Sequence, residues 1–408
     1  MAETRARTNN VANDRPYASL PHEVTRHVPV QVQCMLWGRA AGRCEFAGCN
    51  KPLWKSSITQ ESVNTAQKAH IYSFSKAGPR GNDGLAIEDI NDFGNLMLVC
   101  HECHRKLDAH PDGGRYTPRM LQEWKLAHER RVELVTGIAT DKRSHVLLYG
   151  ANVGDHSAPL SYSETAPALF PNRYPASDAP IELSTVNSSF VEKDPDFWTV
   201  EARNLSRKFE MGVRERLATG MIDHLSVFSL APQPLLILFG TMLGDIVPCD
   251  VYQRHREPCT WEWPASTPDA QGFEIKRPRI TDGTPALVLA LSGTVSRERI
   301  ESCLGPNLSV WSITVATPHN DLIKSRGQLS EFRFLTRLVL DEIKSVHGQN
   351  ALLHVFPVSA VSVAIEFGRI RMPKADMPWR IYDQVNALGG FVPAFNIPYG
   401  ENQCLTTS

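Results

Sequence analysis

Two close pairs of cysteines constrain the fold of this chain more than any other feature of its sequence. Cys44 and Cys49 form the first pair, and Cys100 and Cys103 form the second. Four thiolates grouped in this way are a ligand set for tetrahedral Zn²⁺, and they leave no open position for water. The sequence therefore predicts a structural zinc site that holds a short segment rigid without a large core. Two unrelated buried pairs are the alternative.

The other cysteines are scattered singly along the chain. The total is nine, and an odd number without regular spacing is not typical of a secreted disulfide-bonded protein. The N-terminus lacks the apolar run of a signal peptide. The longest apolar stretch, 234–240, is far shorter than the roughly 20 residues that a membrane span requires. We expect a protein of the reducing cytoplasm with no membrane association.

Charge alone does not identify a nucleic-acid partner. The formal net charge is -1, so the chain has no general basic field. Basic residues nevertheless outnumber acidic ones clearly between residues 39 and 82. Such a local excess fits a phosphate backbone, although a solvated loop surface would show the same composition.

Beyond about residue 140, apolar strand-like runs alternate with helical patterns. We expect strands at 145–149, 224–229, 246–253, 286–291, 310–316 and 351–356, and helices at 197–218, 233–243, 296–304, 329–346 and 361–367. This alternation predicts parallel sheet with crossover helices. The two series, before and after about residue 282, indicate a duplicated Rossmann-like architecture, although the halves show no sequence repeat that aligns.

The first 140 residues predict a different kind of domain. A helix should begin at Thr117 as N-cap, with Pro118 in its first position, and end near Gly137. Shorter elements are expected as strands at 67–71 and 96–99 and a helix at 104–108. We therefore expect an α/β protein, α+β over the whole chain, with domains at 1–140 and 141–408.

A histidine, an asparagine and a second histidine accompany the cysteine pairs. His70 lies in the first predicted strand, Asn95 precedes the second, and His104 directly follows Cys103. Two strands and a helix held by zinc would bring these side chains around one point. An imidazole is an effective general base near neutral pH, and a divalent cation can neutralise charge on a phosphoryl group. We expect His70 to be the base, His104 the cation ligand, and Asn95 to orient His70 or its loop.

Together these residues resemble the HNH endonuclease family and its ββα-metal fold. The resemblance is carried by Cys44, Cys49, Ala69-His70-Ile71, Asn95-Leu96, Cys100, Cys103 and His104. It implies metal-dependent cleavage of double-stranded DNA, with catalytic His70, Asn95 and His104. Many family members carry a further metal ligand at the position of Ala69; the alternatives in this chain are Gln67, His101 and Asp108. Mg²⁺ keeps several waters and needs few protein ligands, so Mg²⁺ or another divalent ion is the expected catalytic metal.

The larger domain resembles the SAVED family of CBASS antiphage sensors. The similar stretches are 250–255, 261–264, 363–369 and 371–374. The resemblance implies two fused CARF-like units that bind a cyclic di- or trinucleotide. It also implies a homo-oligomer, a dimer or smaller unit that forms a larger assembly when the attached nuclease is activated.

Candidate ligand contacts follow from strand ends and aromatic residues. Ligands of such sheets bind at the carboxyl ends of strands, over helix N-termini, and bases stack on aromatic rings. For the two tryptophans, core packing is an equally good interpretation. The expected contacts are Arg254, Trp261, Trp263, Ser292, Thr294 and Pro357.

The sequence leaves three functions open. The first is a DNA endonuclease activated by a cyclic oligonucleotide. The second is a non-catalytic zinc-ribbon DNA-binding regulator with a nucleotide sensor. The third is a restriction-type HNH nuclease that needs no ligand. Loss of cleavage with retained fold in a His70→Ala variant would separate the first from the second, and discrete DNA fragments without an activator would indicate the third.

Overall fold

The structure of the chain is a computed structural model. It describes residues 27–73, 78, 80–81, 90–109, 115–153, 160–185, 190, 194, 196–266, 272–385 and 390–400, so Lys76 and Asn82 of the basic run lie outside the described residues. The chain divides into two compact units, Met1–Gly137 and Ile138–Ser408. Among the helices that the structure describes, none has the apolar length that a bilayer crossing demands.

The described residues of the first unit form a two-stranded antiparallel sheet and three α-helices. Its elements are α1 (Val30–Arg39), β1 (Ala66–His70), a 3₁₀ turn (Phe93–Asn95), β2 (Leu96–Cys100), α2 (His101–Asp108) and α3 (Pro118–Thr136). In the sheet, Ala66 lies opposite Cys100 and His70 opposite Leu96. Every residue of β2 is buried, and α2 begins directly at its end. The predicted strands and helix are confirmed, with α2 starting three residues earlier than expected.

The predicted ends of α3 are also confirmed. The Thr117 side chain accepts a hydrogen bond from the Met120 backbone N–H, Pro118 occupies the first turn, and Gly137 is the C-cap. An N-cap hydroxyl of this kind satisfies one of the N–H groups that a helix leaves without an internal partner.

In the second unit, the part of the chain that the structure describes forms two sheets with helices packed against them. The first half comprises β3 (Arg143–Gly150), α4 (Tyr162–Thr165), β4 (Tyr174–Pro175), β5 (Ile181–Glu182), α5 (Phe197–Phe209), a π-turn (Glu210–Arg214), α6 (Glu215–Ala218), β6 (Leu225–Leu230), α7 (Gln233–Leu243) and β7 (Cys249–Val251). The second half comprises β8 (Glu274–Lys276), β9 (Thr284–Ala290), α8 (Arg297–Leu304), β10 (Leu308–Thr314), α9 (Arg326–His347), β11 (Leu353–Val358), α10 (Val361–Arg369), β12 (Trp379–Val385) and β13 (Gly390–Ile397).

Parallel pairing dominates both sheets, as the alternating pattern predicted. The first sheet has the order β4-β3-β6-β7, with β5 also paired to β3, and its pairs are parallel. The second has the order β13-β12-β11-β9-β10-β8, in which only the edge strands β13 and β8 pair antiparallel. The α/β class is therefore confirmed for this unit. The sequence patterns missed β8, β12 and β13, because charged, amide or proline residues interrupt the apolar run in each of them.

Two predicted elements differ from the structure. The strand expected at 246–253 is only three residues long, since Ile246 is 90% exposed and Pro248 lacks the N–H that a ladder needs. The helix expected at 197–218 is α5 and α6 joined through the π-turn.

The two halves of the second unit do share an aligned repeat, which corrects the expectation that none exists. Residues 227–240 and 355–368 align without a gap and carry the same Val, Phe, Ile, Phe and Gly at five positions. Strand register supports the equivalence, because Val227 lies opposite Val251 in the first sheet and Val355 lies opposite Ile381 in the second. The repeat escapes detection because nine of its fourteen positions differ, and five of those nine carry a polar or charged residue in one half.

Aromatic packing repeats in the same way. Phe228 stacks on Tyr252 with ring centroids 4.4 Å apart, and Phe356 stacks on Tyr382 at the same separation. Each stack meets a third ring edge-on, Trp261 at 5.2 Å from Phe228 and its second-half counterpart Phe391 at 5.1 Å from Phe356. The duplication is therefore visible in side-chain packing as well as in strand order.

Helices α7 and α10 cross at two equivalent glycines. A Cβ atom on Gly240 would lie 2.1 Å from the Ile365 carbonyl oxygen, and one on Gly368 would lie 2.1 Å from the Ile237 carbonyl oxygen. These contacts are reciprocal, so the helices are related by a local pseudo-two-fold axis, and the halves pack backbone against backbone there.

We expect Gly240→Ala to destabilise the second unit by about 3 kcal/mol, because the new methyl group overlaps a backbone carbonyl that no rotamer change can move. Denaturant unfolding followed by circular dichroism measures this effect. Gly272→Ala is the matched control, since a Cβ there meets no atom within 4 Å. Equal stability of the two variants would contradict the close crossing.

Candidate functional site

The four paired cysteines converge in the first unit. The ligand atoms of Cys44, Cys49, Cys100 and Cys103 all lie within 4.8 Å of one another. The sulfur atoms of Cys49 and Cys100 are 3.9 Å apart. A tetrahedron with Zn–S bonds of about 2.3 Å requires sulfur separations of about 3.8 Å. The donor set therefore fits zinc in both chemistry and spacing.

Burial makes two of these thiols, Cys44 and Cys103, poor thiolates unless a cation is bound, whereas hydrogen bonds from Cys103 and its neighbours outweigh burial and lower the pKa of Cys100. Burial raises the pKa of Cys44 to about 12 and raises that of Cys103 well above its usual range. A coordinated metal ion supplies the charge that stabilises the deprotonated form. Backbone hydrogen bonds hold the cluster together, from Glu45 N–H to the Leu98 carbonyl and from Cys100 N–H to Cys44 Sγ.

His70, at the end of β1, is oriented by an asparagine that the sequence did not single out. The Nε2 atom of His70 lies 3.0 Å from Oδ1 of Asn91. The Asn91 amide nitrogen donates to the His27 carbonyl at 3.4 Å, which fixes the amide oxygen toward the ring. Nε2 must then carry the proton, and Nδ1 is the nitrogen with the basic lone pair.

Asn95 fixes the loop after His70 rather than the ring. Its Oδ1 accepts from Tyr72 N–H at 2.8 Å, and its Nδ2 donates to the carbonyls of Tyr72 and Ile90 at 3.2 and 2.9 Å. Its backbone carbonyl accepts from Ile71 N–H. The sequence left open whether Asn95 orients the His70 ring or its loop. In the structure, the Asn95 side chain bonds the loop.

His104, on α2, pairs with a carboxylate one turn later. Its Nδ1 lies 3.2 Å from Oδ2 of Asp108. Burial lowers the pKa of His104, and Asp108 opposes that shift, while the nearby Arg80 and His70 add to it. A carboxylate that accepts the Nδ1 proton leaves Nε2 as the donor atom for a cation, the arrangement common around metal-bound histidines. His104 therefore fits the role of a metal ligand.

Arg80 connects the two histidines, and no sequence pattern indicated it. Its guanidinium is buried and donates to the carbonyls of His70 at 3.1 Å, Ile71 at 3.0 Å and Leu107 at 2.8 Å. It also lies 3.5 Å from Asp108 Oδ1. The Arg80 guanidinium thus connects the end of β1 to the last turn of α2 and couples the positions of His70 and His104.

The position next to His70 has no ligand function in this fold. Ala69 is buried, since alternate strand residues point to opposite faces and its face joins the core. Of the alternatives, Gln67 and His101 are exposed, and the Asp108 carboxylate is shared by His104 and Arg80. Asp108 is accordingly best described as the group that orients His104.

The second unit contains a cavity of about 820 Å³ at the carboxyl ends of strands from both sheets. Residues after β6, β7, β9 and β11 form its walls, and α7 and α10 begin there. Neither helix has a side-chain cap or an acidic residue in its first turn. Pro234 in the first turn of α7 has no N–H, and the Ser362 N–H in the first turn of α10 donates to Gln253 Oε1 at 3.3 Å. What the two helix starts offer an anion is therefore mainly the positive end of each helix dipole. Gln253 links the halves, because its Oε1 accepts from Ser362 Oγ at 2.7 Å.

The structure brings some of the predicted ligand contacts to this cavity. Arg254, Ser292 and Pro357 line it, whereas Thr294 is exposed outside its lining. Trp261 is only 1% exposed and Trp263 is partly buried, and both pack in the core. Core packing, the alternative interpretation for the tryptophans, describes their contacts here.

His255, the last residue of the SAVED-like stretch 250–255, also lies in the wall of the cavity. Its side chain is 1% exposed, and neither ring nitrogen has a hydrogen-bond partner. The nearest carboxylate oxygen, Asp321 Oδ1, is 3.9 Å from Nδ1. Burial lowers the pKa of His255, and Lys324 adds to that effect. A buried imidazole without partners is costly, which marks this wall as a place for a polar ligand.

Part of the second unit matches a known protein family. Residues 205–397 match the SAVED family, described as a "SMODS-associated and fused to various effectors sensor domain". No curated protein sequence matches the chain.

Solved structures with a similar arrangement include two of the Acinetobacter baumannii Cap4 SAVED/CARF-domain containing receptor, with the cyclic trinucleotides 2′3′3′-cAAA and 3′3′3′-cAAA. Their TM-scores are 0.41 and 0.40, at 12% and 13% identity, over 68% of this chain and 55% and 56% of theirs. The Moraxella osloensis Cap4 receptor matches with a TM-score of 0.35 at 12% identity, over 68% of this chain and 54% of its own.

This chain thus spans little more than half the length of those receptors, and the family match is what identifies the domain. The part of the chain from 205 to 397 is a SAVED domain, a sensor of the kind fused to various effectors.

Proposed function

We propose that this chain is a DNA endonuclease of bacterial CBASS antiphage defence, activated by a cyclic oligonucleotide. The observation that carries the proposal is a β-β-α element, in the same chain as a SAVED domain, whose His70 and His104 are joined through Arg80. The β-β-α order, the four-cysteine cluster and the two histidines agree with the HNH resemblance of the sequence.

In this proposal the residues of the first unit divide the hydrolysis of a phosphodiester among them. His70 Nδ1 takes a proton from the attacking water, while Asn91 holds the opposite ring nitrogen. Asn95 keeps the following loop in place. His104 Nε2, with Asp108 on the other side of the ring, would hold Mg²⁺ or another divalent ion. Such an ion neutralises charge on the phosphoryl oxygens and the leaving group.

The zinc site has a separate, structural role. Four thiolates complete a tetrahedron and leave no position for water or substrate. Because Cys100 and Cys103 flank the start of α2, a bound Zn²⁺ would fix the helix that carries His104.

The second unit would act as the sensor. Its cavity has the size of small-molecule sites, which are commonly about 300–1,000 Å³. Arg254 supplies a positive charge for a phosphate group, and the positive dipole ends of α7 and α10 lie at the same wall. A ligand that binds one assembly state better than another shifts the population toward it, so ligand-driven assembly is the proposed link to DNA cleavage.

Plasmid cleavage tests the whole proposal. Purified full-length protein with Mg²⁺ should degrade plasmid DNA only when a member of a panel of cyclic di- and trinucleotides is added. Multi-angle light scattering with the same activator should show an increase in mass. DNA binding without cleavage would favour the regulator, and discrete fragments without activator would favour a restriction-type nuclease. If the mass stays constant in the presence of an activating ligand, ligand-driven assembly is excluded as the link to DNA cleavage.

A further inference from the structure

A second groove, of about 350 Å³, lies in the first unit. Residues of segment 51–65, which precedes β1, form one wall, and residues 100–102, at the start of α2, form the other. The proposed hydrolysis and the zinc site give a role to only one of the lining residues, Cys100. The groove therefore presents a polar surface that neither the histidines nor the metal explains.

Backbone hydrogen bonds hold the first wall in shape. Residues 53–65 form a hairpin, in which the Thr65 N–H donates to the Leu53 carbonyl and the Ser56 N–H donates to the Glu61 carbonyl, each at 2.9 Å. The Ser56 hydroxyl accepts from two N–H groups at the tip, at 3.2 and 3.1 Å. A surface that is already ordered binds without an added cost of ordering its side.

The groove begins beside the histidine site. His101 lines it and lies three residues before His104 on α2, so the two imidazoles are on the same face of the helix. Burial is the main cause of the lowered pKa of His104, and both His101 and His70 add to that effect. A strand whose phosphodiester is held at His104 can therefore continue directly into the groove.

The charge of the groove is positive. Lys51 and Lys106 both bond Glu102, each at 2.9 Å, and these hydrogen bonds lower the pKa of Glu102 to about 2. One ionised carboxylate shared by two lysines leaves one positive charge unmatched. Lys55, held over the Trp54 ring at 5.1 Å, adds another charge to the same wall. Lysines and hydroxyl groups are typical partners of phosphate oxygens.

We infer that this groove binds the backbone of the DNA strand next to the phosphodiester that is cut, and that Lys51 and Lys55 contact its phosphates. Contacts of this kind position a duplex without reading its sequence. They also give a function to part of the local excess of basic residues between 39 and 82. This inference rests on the proposed function of the first unit as a DNA endonuclease.

Fluorescence anisotropy of a short labelled DNA duplex tests it. Full-length protein carrying His70→Ala is titrated in Mg²⁺ over a series of salt concentrations, alone and with the panel of cyclic di- and trinucleotides. The His70→Ala background keeps the DNA intact. Adding Lys51→Gln or Lys55→Gln should weaken binding about fivefold and reduce the slope of log K against log salt by about 1. Duplexes of unrelated sequence should show the same loss.

Lys106→Gln is the matched control. Lys106 and Lys51 have the same carboxylate partner at the same distance, and their side chains are 52% and 48% exposed. Each also interacts electrostatically with the cysteine cluster. Only Lys51 lines the groove. Loss of the ion pair or a weaker zinc site would therefore appear equally in both variants, whereas loss of a phosphate contact appears in Lys51→Gln alone.

The outcomes separate this inference from the proposed function. If Lys51→Gln and Lys55→Gln bind DNA as Lys106→Gln does, while the wild-type protein cleaves plasmid with an activator, the groove is excluded and the endonuclease stands. If both variants lose affinity as expected but the wild-type protein never cleaves, the groove is supported and the protein is a DNA-binding regulator. A protein that neither binds nor cleaves DNA overturns both.

Discussion

His70→Ala should lower the rate of activated plasmid cleavage about 10³-fold, because general-base catalysis contributes on the order of 10²–10⁴. The variant should retain its zinc and its unfolding temperature, since the His70 ring contributes little to the core, and only its backbone carbonyl bonds Arg80. Initial rates at saturating activator measure the effect. Asn91→Ala, which removes the acceptor for Nε2, should cost about tenfold, as losses of orienting groups commonly do.

The control for this prediction is His319→Ala, which removes an exposed histidine of the second unit. It should leave cleavage unchanged. Full cleavage by the His70→Ala protein would exclude His70 as the general base. An unfolded variant would show in the circular dichroism spectrum before any rate is compared.

Removal of zinc should have the largest effect on stability. The first unit has a small core built largely around β2 and the cysteines, and structural zinc in small domains contributes about 10 kcal/mol or more. We expect Cys100→Ser, or chelation of the native protein, to unfold this unit while the second unit stays folded. Limited proteolysis with mass spectrometry would then show cleavage confined to the first unit.

Elemental analysis should find one zinc per chain in the native protein and none in the Cys100→Ser variant. Cys34→Ser is the control, because Cys34 is exposed and outside the cluster. A Cys100→Ser protein that resists proteolysis as well as the control does would show that the cysteines pack without a metal.

The sequence predicted those features that depend on local spacing. Cysteine spacing indicated a four-thiolate set, and the structure brings these four sulfurs together. Thr117 and Gly137 marked the ends of α3 because capping is decided within one turn. The apolar runs of β6, β9, β10 and β11 were recognisable because both faces of these parallel strands are buried.

Contacts between segments far apart in the sequence could not be predicted from local spacing. Arg80 lies between β1 and α2 in the sequence and donates to backbone carbonyls of both elements. Asn91 bonds His70, which lies 21 positions earlier in the chain. Nothing in their immediate sequence distinguishes them from ordinary loop residues. The sequence also could not decide whether the two tryptophans stack on a ligand base or pack in the core. That depends on which rings lie against them in the fold, and Trp261 packs edge-on against Phe228.

The duplication shows the same division most clearly. The sequence alone determined that strands and helices alternate, because periodicity is a property of neighbouring residues. Tertiary structure decided that 227–240 and 355–368 are counterparts, since few residues need to be shared as long as the aromatic stack and the glycine crossing are kept. It also decided which side chains share one cavity, because segments far apart along the chain meet only when the two sheets pack together.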